Sequence, residues 1–466
     1  MKKIVKNGTI VTPFSEYKAD ILVDGEKIAA IGKGFDETGC EVIDAAGMYV
    51  LPGGVDQHAH WENLNTDGLT ASCGYEGTWP ALLGGTTTII DFAGQEPGMG
   101  LIDSAKHRIE KRAAGKLGPD LALHALCTNF SEDVLNEVKD LPAAGLPTIK
   151  LFMAYKPTAL YSDDTTLFRM LREAGKAGVT VMLHAENADV LNLLRDEAAA
   201  TGHLAPIDHV LTRPVFTEVE AVQRAITLAD AAGCPICILH VSCEGAARVI
   251  QNARNEGKAV IGETCTHYLT LDKSCLETDD FDQACRFVCS PPLRDKSDQD
   301  YLWKAINRGW LSVVASDHAA IPLEQKQWGR TDFRKIINGS PGAGDRLQLM
   351  WTYGVEKGRI SRSKLVELYA TVPAKINGLY PRKGAIEVGS DADIVVYNPD
   401  YRGTFTLESN PTGLDFNTFE GMEQVGRAET VLLRGNVVVK GHKFVAEMGC
   451  GKFIPGEGYG LGYDLL

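Results

Sequence analysis

Two histidines separated by one residue, His58-Ala59-His60, close a short apolar run, and Asp317-His318 closes another. Between them His184 and His240 each end an apolar run, and Lys150 interrupts the run "PTIKLFM". Imidazole and carboxylate are good ligands for zinc and similar divalent ions. Residues two apart on a strand face the same side, so His58 and His60 can reach one ion. His184 and His240, on neighbouring strands, could serve a second. Lysine is almost never fully buried unless paired, and an unpaired ammonium in an apolar interior shifts its pKa until neutral. A neutral lysine reacts with carbon dioxide to give a carbamate. Its two oxygens would bridge two divalent ions, which in paired sites lie about 3.5–4 Å apart.

Each residue also has an ordinary reading. A histidine ending a strand is usually a hydrogen-bonded core residue, and His124, in "LALHAL", is read that way. Asp317 alone could cap a helix, and Lys150 could snorkel to a rim. The metal reading rests on all of them falling at the same end of successive strands.

From about residue 50 to 320 a short apolar strand alternates with a longer amphipathic stretch. The strands are expected at 53–60, 86–93, 121–126, 148–153, 179–186, 235–242, 259–265 and 311–319. Near-continuous Val, Ile and Leu suit strands buried on both faces of a parallel sheet. Helices are expected at 164–178 and 216–233, the second ending on a glycine stop signal. Eight such units in about 270 residues predict an α/β fold, a (β/α)8 TIM barrel whose active site sits at the C-terminal ends of its strands.

The two ends read as short alternating strands split by turns such as Asn7-Gly8 and Asp24-Gly25. They predict a small β-sandwich-like domain assembled from both termini, over 1–51 and 384–446, around a barrel domain over 52–383. Residues 447–466 are expected to form an extended C-terminal tail.

The net charge of −14 argues against nucleic acid as a partner. No apolar stretch suggests a membrane span or a signal peptide, so a cytoplasmic protein is expected. The eleven cysteines are an odd number and sit mostly in apolar runs, so reduced thiols are expected. Cys234-Pro-Ile-Cys237 has redox-motif spacing but opens a core strand rather than a helix.

The set "PGGVDQHAH", "GGTTTIIDF", "IKLFMAYK", "HAEN", "HVS", "ETCTHYL", "SPPLR", "ASDHA" and "NGSPG", in this order, resembles the metal-dependent amidohydrolases. Within them it is similar to the dihydropyrimidinase/hydantoinase group of cyclic amidases, over nearly the whole chain. The resemblance implies that His58, His60 and Asp317 bind one metal, that His184 and His240 bind the other, and that carboxylated Lys150 bridges both. It implies two divalent ions, zinc with manganese or cobalt as alternatives, and carbon dioxide for Lys150. Tyr155 would donate its hydroxyl to the substrate carbonyl, while Ser290 and Asn338 would grip the ring amide through backbone groups. Hydroxide shared by the ions would attack the ring carbonyl, with Asp317 carrying the proton to the leaving nitrogen. A homo-oligomer, tetramer or dimer, is implied as well.

Two segments depart from the pattern. Where dihydroorotases place an arginine after the histidine pair, this chain has Trp61-Glu62-Asn63, which counts against an acidic ring. The segment 61–77 also differs from the apolar run of common bacterial hydantoinases. Trp61, Asn63, Leu64 and Asn65 are expected to make the pocket more polar. After Pro341 a glutamate is usual at the third position, but here Gly342-Ala343-Gly344-Asp345 follow. The substrate is therefore left among a dihydropyrimidine, a 5-substituted hydantoin, an imide or another ureide. Allantoinase is the rival enzyme, and a non-catalytic scaffold the rival class.

Overall fold

A computed structural model of the chain describes residues 2–62 and 74–458. Its centre is a parallel sheet of β1 (Gly54–His60), β2 (Thr86–Gly94), β3 (Asp120–Leu126), β4 (Thr148–Phe152), β5 (Thr180–His184), β6 (Ile236–Ile238), β7 (Val260–Cys265) and β8 (Val313–Ala315). Each strand pairs with the next, and beyond β8 the chain returns as His318–Ala319 to pair with Ala59 and His60 of β1. That pairing closes the sheet into the expected barrel. The seam is drawn together by Asp56 of β1, whose carboxylate accepts the Ser316 N–H at 3.1 Å and the Ser316 hydroxyl at 2.5 Å. A barrel interior is filled by side chains, and β3, β4 and β5 are buried at every position.

The helices follow from local sequence. Asp164–Ala177 buries Leu167, Met170, Leu171 and Ala174, the three-and-four spacing of a single apolar face. The Asp163 carboxylate accepts the Thr166 N–H at 2.8 Å to start the helix. Gly178, at φ +73°, ends it in a left-handed conformation that favours glycine. Val215–Ala232 stops in the same way at Gly233.

Outside the barrel, Lys3–Lys6, Asp20–Asp24, Lys27–Gly32 and Glu41–Asp44 make a four-stranded sheet. A seven-stranded sheet joins Thr9–Val11, Glu16–Lys18 and Tyr49–Pro52 to Ile394–Thr404 and the strands after it. Both termini thus share one sheet, with Ile394 opposite Pro52. Val5, Ile21 and Val23 of the first sheet pack with Val50, Ile394 and Leu432 of the second, as in a sandwich. Lys383 fastens this unit to the barrel, its Nζ lying 2.5 Å from Asp120, 3.0 Å from Asp391 and 2.8 Å from Asp393.

The described part of the tail lies on its own barrel. Leu121 N–H donates to the Lys452 carbonyl at 2.9 Å, and Ile454 N–H to the Leu121 carbonyl at 2.7 Å. The rest of that tail, 459–466, lies outside the described residues, as do Asn63, Leu64 and Asn65. No described cysteine is in a disulfide, and Cys237 lies within β6. Among the described residues no helix is long and apolar enough to cross a membrane.

Candidate active site

Strand β1 delivers His58 and His60 to one rim of the barrel, their rings 5.2 Å apart. Strand β5 ends on His184. His240 and Asp317, expected at strand ends, each lie two residues beyond the observed end of β6 and β8. The cause is their backbone: φ is +39° at His240 and +48° at Asp317, which ends the extended ladder. Tyr155 has φ +68°. Non-glycine residues in this region are strained, and such strain clusters at functional sites.

The side chains converge. Asp317 Oδ1 lies 3.1 Å from His58 Nε2 and 3.4 Å from His60 Nε2. Candidate ligand atoms of His58, His60 and Asp317 all fall within 4.8 Å of one another. The His58 ring is 5.3 Å from that of His240, which is 4.4 Å from His184. Burial would push the Asp317 carboxyl up, yet His58, His60 and His240 around it hold it well below the usual carboxylate range. Burial also lowers the pKa of His60, His184 and His240, which favours the neutral ring that a metal requires.

Lys150 sits in β4, pointing into the same space and 1% exposed. Its Nζ lies 5.1 Å from the centre of the Phe92 ring and 4.7 Å from that of Phe152. Burial brings its pKa down to about 8, against the pull of Asp317 and Glu263. A substantial neutral fraction near that pH is the condition for carbamate formation. Snorkelling is excluded by the burial.

The donor set fits divalent ions. His58 Nε2 and His240 Nδ1 are buried without a hydrogen-bond partner, and the approach of Asp317 to His58 is not aligned as a hydrogen bond. Unpartnered buried nitrogens are unfavourable unless something coordinates them. His184 Nε2 is held by Glu186 Oε2 at 2.7 Å, leaving Nδ1 for another contact.

The sequence reading missed the acids behind these imidazoles. Glu263 of β7 lies 2.7 Å from His58 Nδ1, and accepts from Gln57 Nε2 at 2.7 Å and from His240 N–H at 3.2 Å. Its signal was a glutamate inside the buried run "AVIGETC". Glu186 is paired in turn with Arg213 at 2.7 Å. Carboxylates of this kind fix tautomer and ring orientation. Glu263→Gln is therefore expected to weaken divalent-ion affinity by about 10–100-fold, measured by chelator competition, while circular dichroism stays unchanged. Cys265 and His267 form a second group with Asp317, although burial holds the Cys265 thiol protonated.

Other expected residues fall as follows. Tyr155 lies with its ring 5.1 Å from His184, and the Ser290 hydroxyl lies 3.4 Å from His209 Nε2. Asn338 adjoins the barrel seam, its Oδ1 buried without a partner. There Gly339, at φ +135°, lets the chain pass Ala319 where a Cβ would meet Ala319 Cβ at 2.7 Å. His124 is a core residue, bonded to Thr148 at 2.6 Å and to the Gln57 carbonyl at 2.8 Å. Trp61 corrects an expectation: it does not make the pocket polar, because its ring is fully buried and stacked on His318 at 4.0 Å. Asp345 accepts from Asn417 Nδ2 at 3.2 Å, and burial pushes its pKa up to about 8.

A parallel barrel with imidazoles, a carboxylate and a buried lysine at one rim defines a class of metal-dependent hydrolase scaffold. Residues 49–438 match the amidohydrolase family. The chain belongs to this family, in the group formed by the hydantoinases and dihydropyrimidinases. It is 43% identical over 465 residues to a D-hydantoinase of Geobacillus stearothermophilus, covering 99% of this chain and 98% of that one. A D-hydantoinase of Ralstonia pickettii is 41% identical, over 98% of this chain and 100% of its own. The crystal structure of dihydropyrimidinase from Brevibacillus agri superposes with a TM-score of 0.95 at 42% identity, covering 98% of this chain and 99% of that one.

Proposed function

We propose that this chain opens a cyclic ureide or imide by adding water across a ring amide C–N bond. A dihydropyrimidine or 5-substituted hydantoin would give the N-carbamoyl amino acid. The observation that carries this reading is Lys150, buried between two phenyl rings at the rim where four histidines and Asp317 meet. The relatives, hydantoinases and dihydropyrimidinases by name, support the same reaction class.

In the mechanism, His58, His60 and Asp317 would hold one divalent ion and His184 and His240 the other. Lys150 attacks carbon dioxide through its neutral amine, loses one proton, and presents the two carbamate oxygens. When bound, the ions, zinc or else manganese or cobalt, would supply activation of water near neutral pH and polarisation of the carbonyl. Asp317, held ionised, accepts the proton of the attacking water and delivers it to the ring nitrogen as the C–N bond breaks. Tyr155 donates its hydroxyl to the developing oxyanion. Burial raises that phenol's pKa, which keeps it protonated for this purpose. Backbone groups of Ser290 and Asn338 hold the ring amide. On the same resemblance we extend the proposal to a cytoplasmic homo-oligomer, tetramer or dimer, and to domain boundaries at 51/52 and 383/384.

The test is ring opening of dihydrouracil, hydantoin, a 5-aryl hydantoin, succinimide and allantoin by protein reconstituted with zinc, manganese or cobalt in bicarbonate. Turnover of dihydrouracil or a hydantoin is expected. Turnover confined to allantoin would make the chain an allantoinase. No turnover of any ring with two ions bound would overturn the reading.

A further inference from the structure

A second lysine is as buried as Lys150. Lys326 ends the short helix Leu323–Lys326 and is fully enclosed. Its Nζ donates to the carbonyl of Val288 at 3.2 Å and to that of Ile337 at 3.1 Å. The titratable groups that face it are the thiols of Cys285 and Cys289. Burying an ammonium costs several kcal/mol where no acid compensates it, as a rough guide. A methionine of similar length would fill the space without that penalty. What lysine adds is two hydrogen bonds that diverge to two separate stretches of chain.

Those stretches are the ones next to Ser290 and Asn338. Val288 stands two residues before Ser290, and Ile337 directly before Asn338. They also touch each other, since Gly339 N–H donates to the Val288 carbonyl at 3.0 Å. On the far side His209 Nε2 bonds the Cys289 carbonyl at 2.8 Å. The turn after Lys326 is pressed onto the second stretch: a Cβ on Gly329 would lie 2.2 Å from Ile336 Cγ1 and 2.5 Å from Ile336 N. One amine therefore fixes the spacing of two backbone segments at the rim.

We propose that Lys326 is a positioning residue, holding the Ser290 and Asn338 segments at the separation at which their backbone groups bind the ring amide. The proposal rests on the reading that these segments bind the ring. A hydrophobic replacement would leave the barrel and the metal-type cluster in place but let the segments drift apart. The loss would then fall on ring binding rather than on the chemical step.

The experiment compares the metal-loaded wild type with Lys326→Met and Lys326→Gln on a ring that the wild type opens. Metal content, thermal midpoint, KM and kcat are measured for each. Lys326→Met is expected to raise KM at least about tenfold with kcat within about threefold and metal content unchanged. Lys326→Gln, which keeps a shorter donor, is expected to fall between it and the wild type, an order the thermal midpoints do not follow. Unchanged KM in Lys326→Met overturns the proposal alone. Parallel loss of kcat, metal or folding in both variants overturns it too, making Lys326 a structural residue. A wild type that opens no ring removes the ring-binding reading, and this proposal with it.

Discussion

Lys150→Ala is expected to lower turnover by at least about a thousandfold, some 4 kcal/mol of transition-state stabilisation, and to take bound metal below two ions per chain. The reason is electrostatic. In the proposed site the four imidazoles would be neutral ligands and Asp317 would bring one negative charge, so loss of the carbamate would leave two dications with too little charge between them. At 4 Å two unit charges already interact by about 4 kcal/mol at an effective dielectric of 20, and dications repel more strongly. Metal counting by atomic absorption separates this from loss of fold, which far-UV circular dichroism follows. A short carboxylate added to the variant has two oxygens and room where the lysine stem stood, so partial recovery of metal and activity is expected.

The same lysine predicts a pH dependence for assembly. Its folded pKa of about 8 lies below the ordinary lysine value, so the amine is neutral above that pH and charged below it. At fixed dissolved carbon dioxide the neutral fraction falls from about half at pH 8 to about a hundredth at pH 6. Reconstitution of metal-free protein should therefore be many times slower at pH 6. Equal rates at the two pH values would mean that the free amine does not control assembly.

The parts of this site that could be read from the sequence are those where local pattern and chemistry coincide. His58 and His60 share a strand face because the period of a strand is two, and Lys150 stands out as a charge in an apolar run. The barrel was legible for the same reason, since its strands are apolar without alternation. The turns at Asn7-Gly8 and Asp24-Gly25 marked the sandwich strands, but not the pairing of Ile394 with Pro52 across 342 residues. Positive φ at His240 and Asp317 left no trace, because no residue type there demands it. Glu263 was hidden by facing: nothing in "IGETC" tells which side of β7 its carboxylate takes. Lys326 was hidden by company, since "PLEQKQWG" reads as a solvated helix and its burial depends on distant segments closing over it.

Asp317→Asn is expected to reduce kcat by about 10²–10⁴-fold, the range of a positioned proton carrier, with KM changed by no more than about threefold. Asparagine keeps the shape of the side chain and an oxygen that can face His58 and His60, so much of the geometry survives. What it lacks is a site that accepts a proton and releases it again. The chain leaves Asp317 well placed for both: β8 ends at Ala315, the backbone turns at φ +48°, and the strand resumes only at His318. The carboxylate is thus carried out of the barrel wall toward the cavity, and its side chain is 14% exposed where His58 is not exposed at all. If delivery of the proton to the leaving nitrogen is what the variant loses, the loss depends on the ring. A hydantoin bearing an electron-withdrawing group on the leaving nitrogen, which departs with less protonation, should suffer less than dihydrouracil. An equal loss on both rings would assign Asp317 to metal binding alone, and more than about a tenth of wild-type kcat remaining would exclude the proton-carrying role.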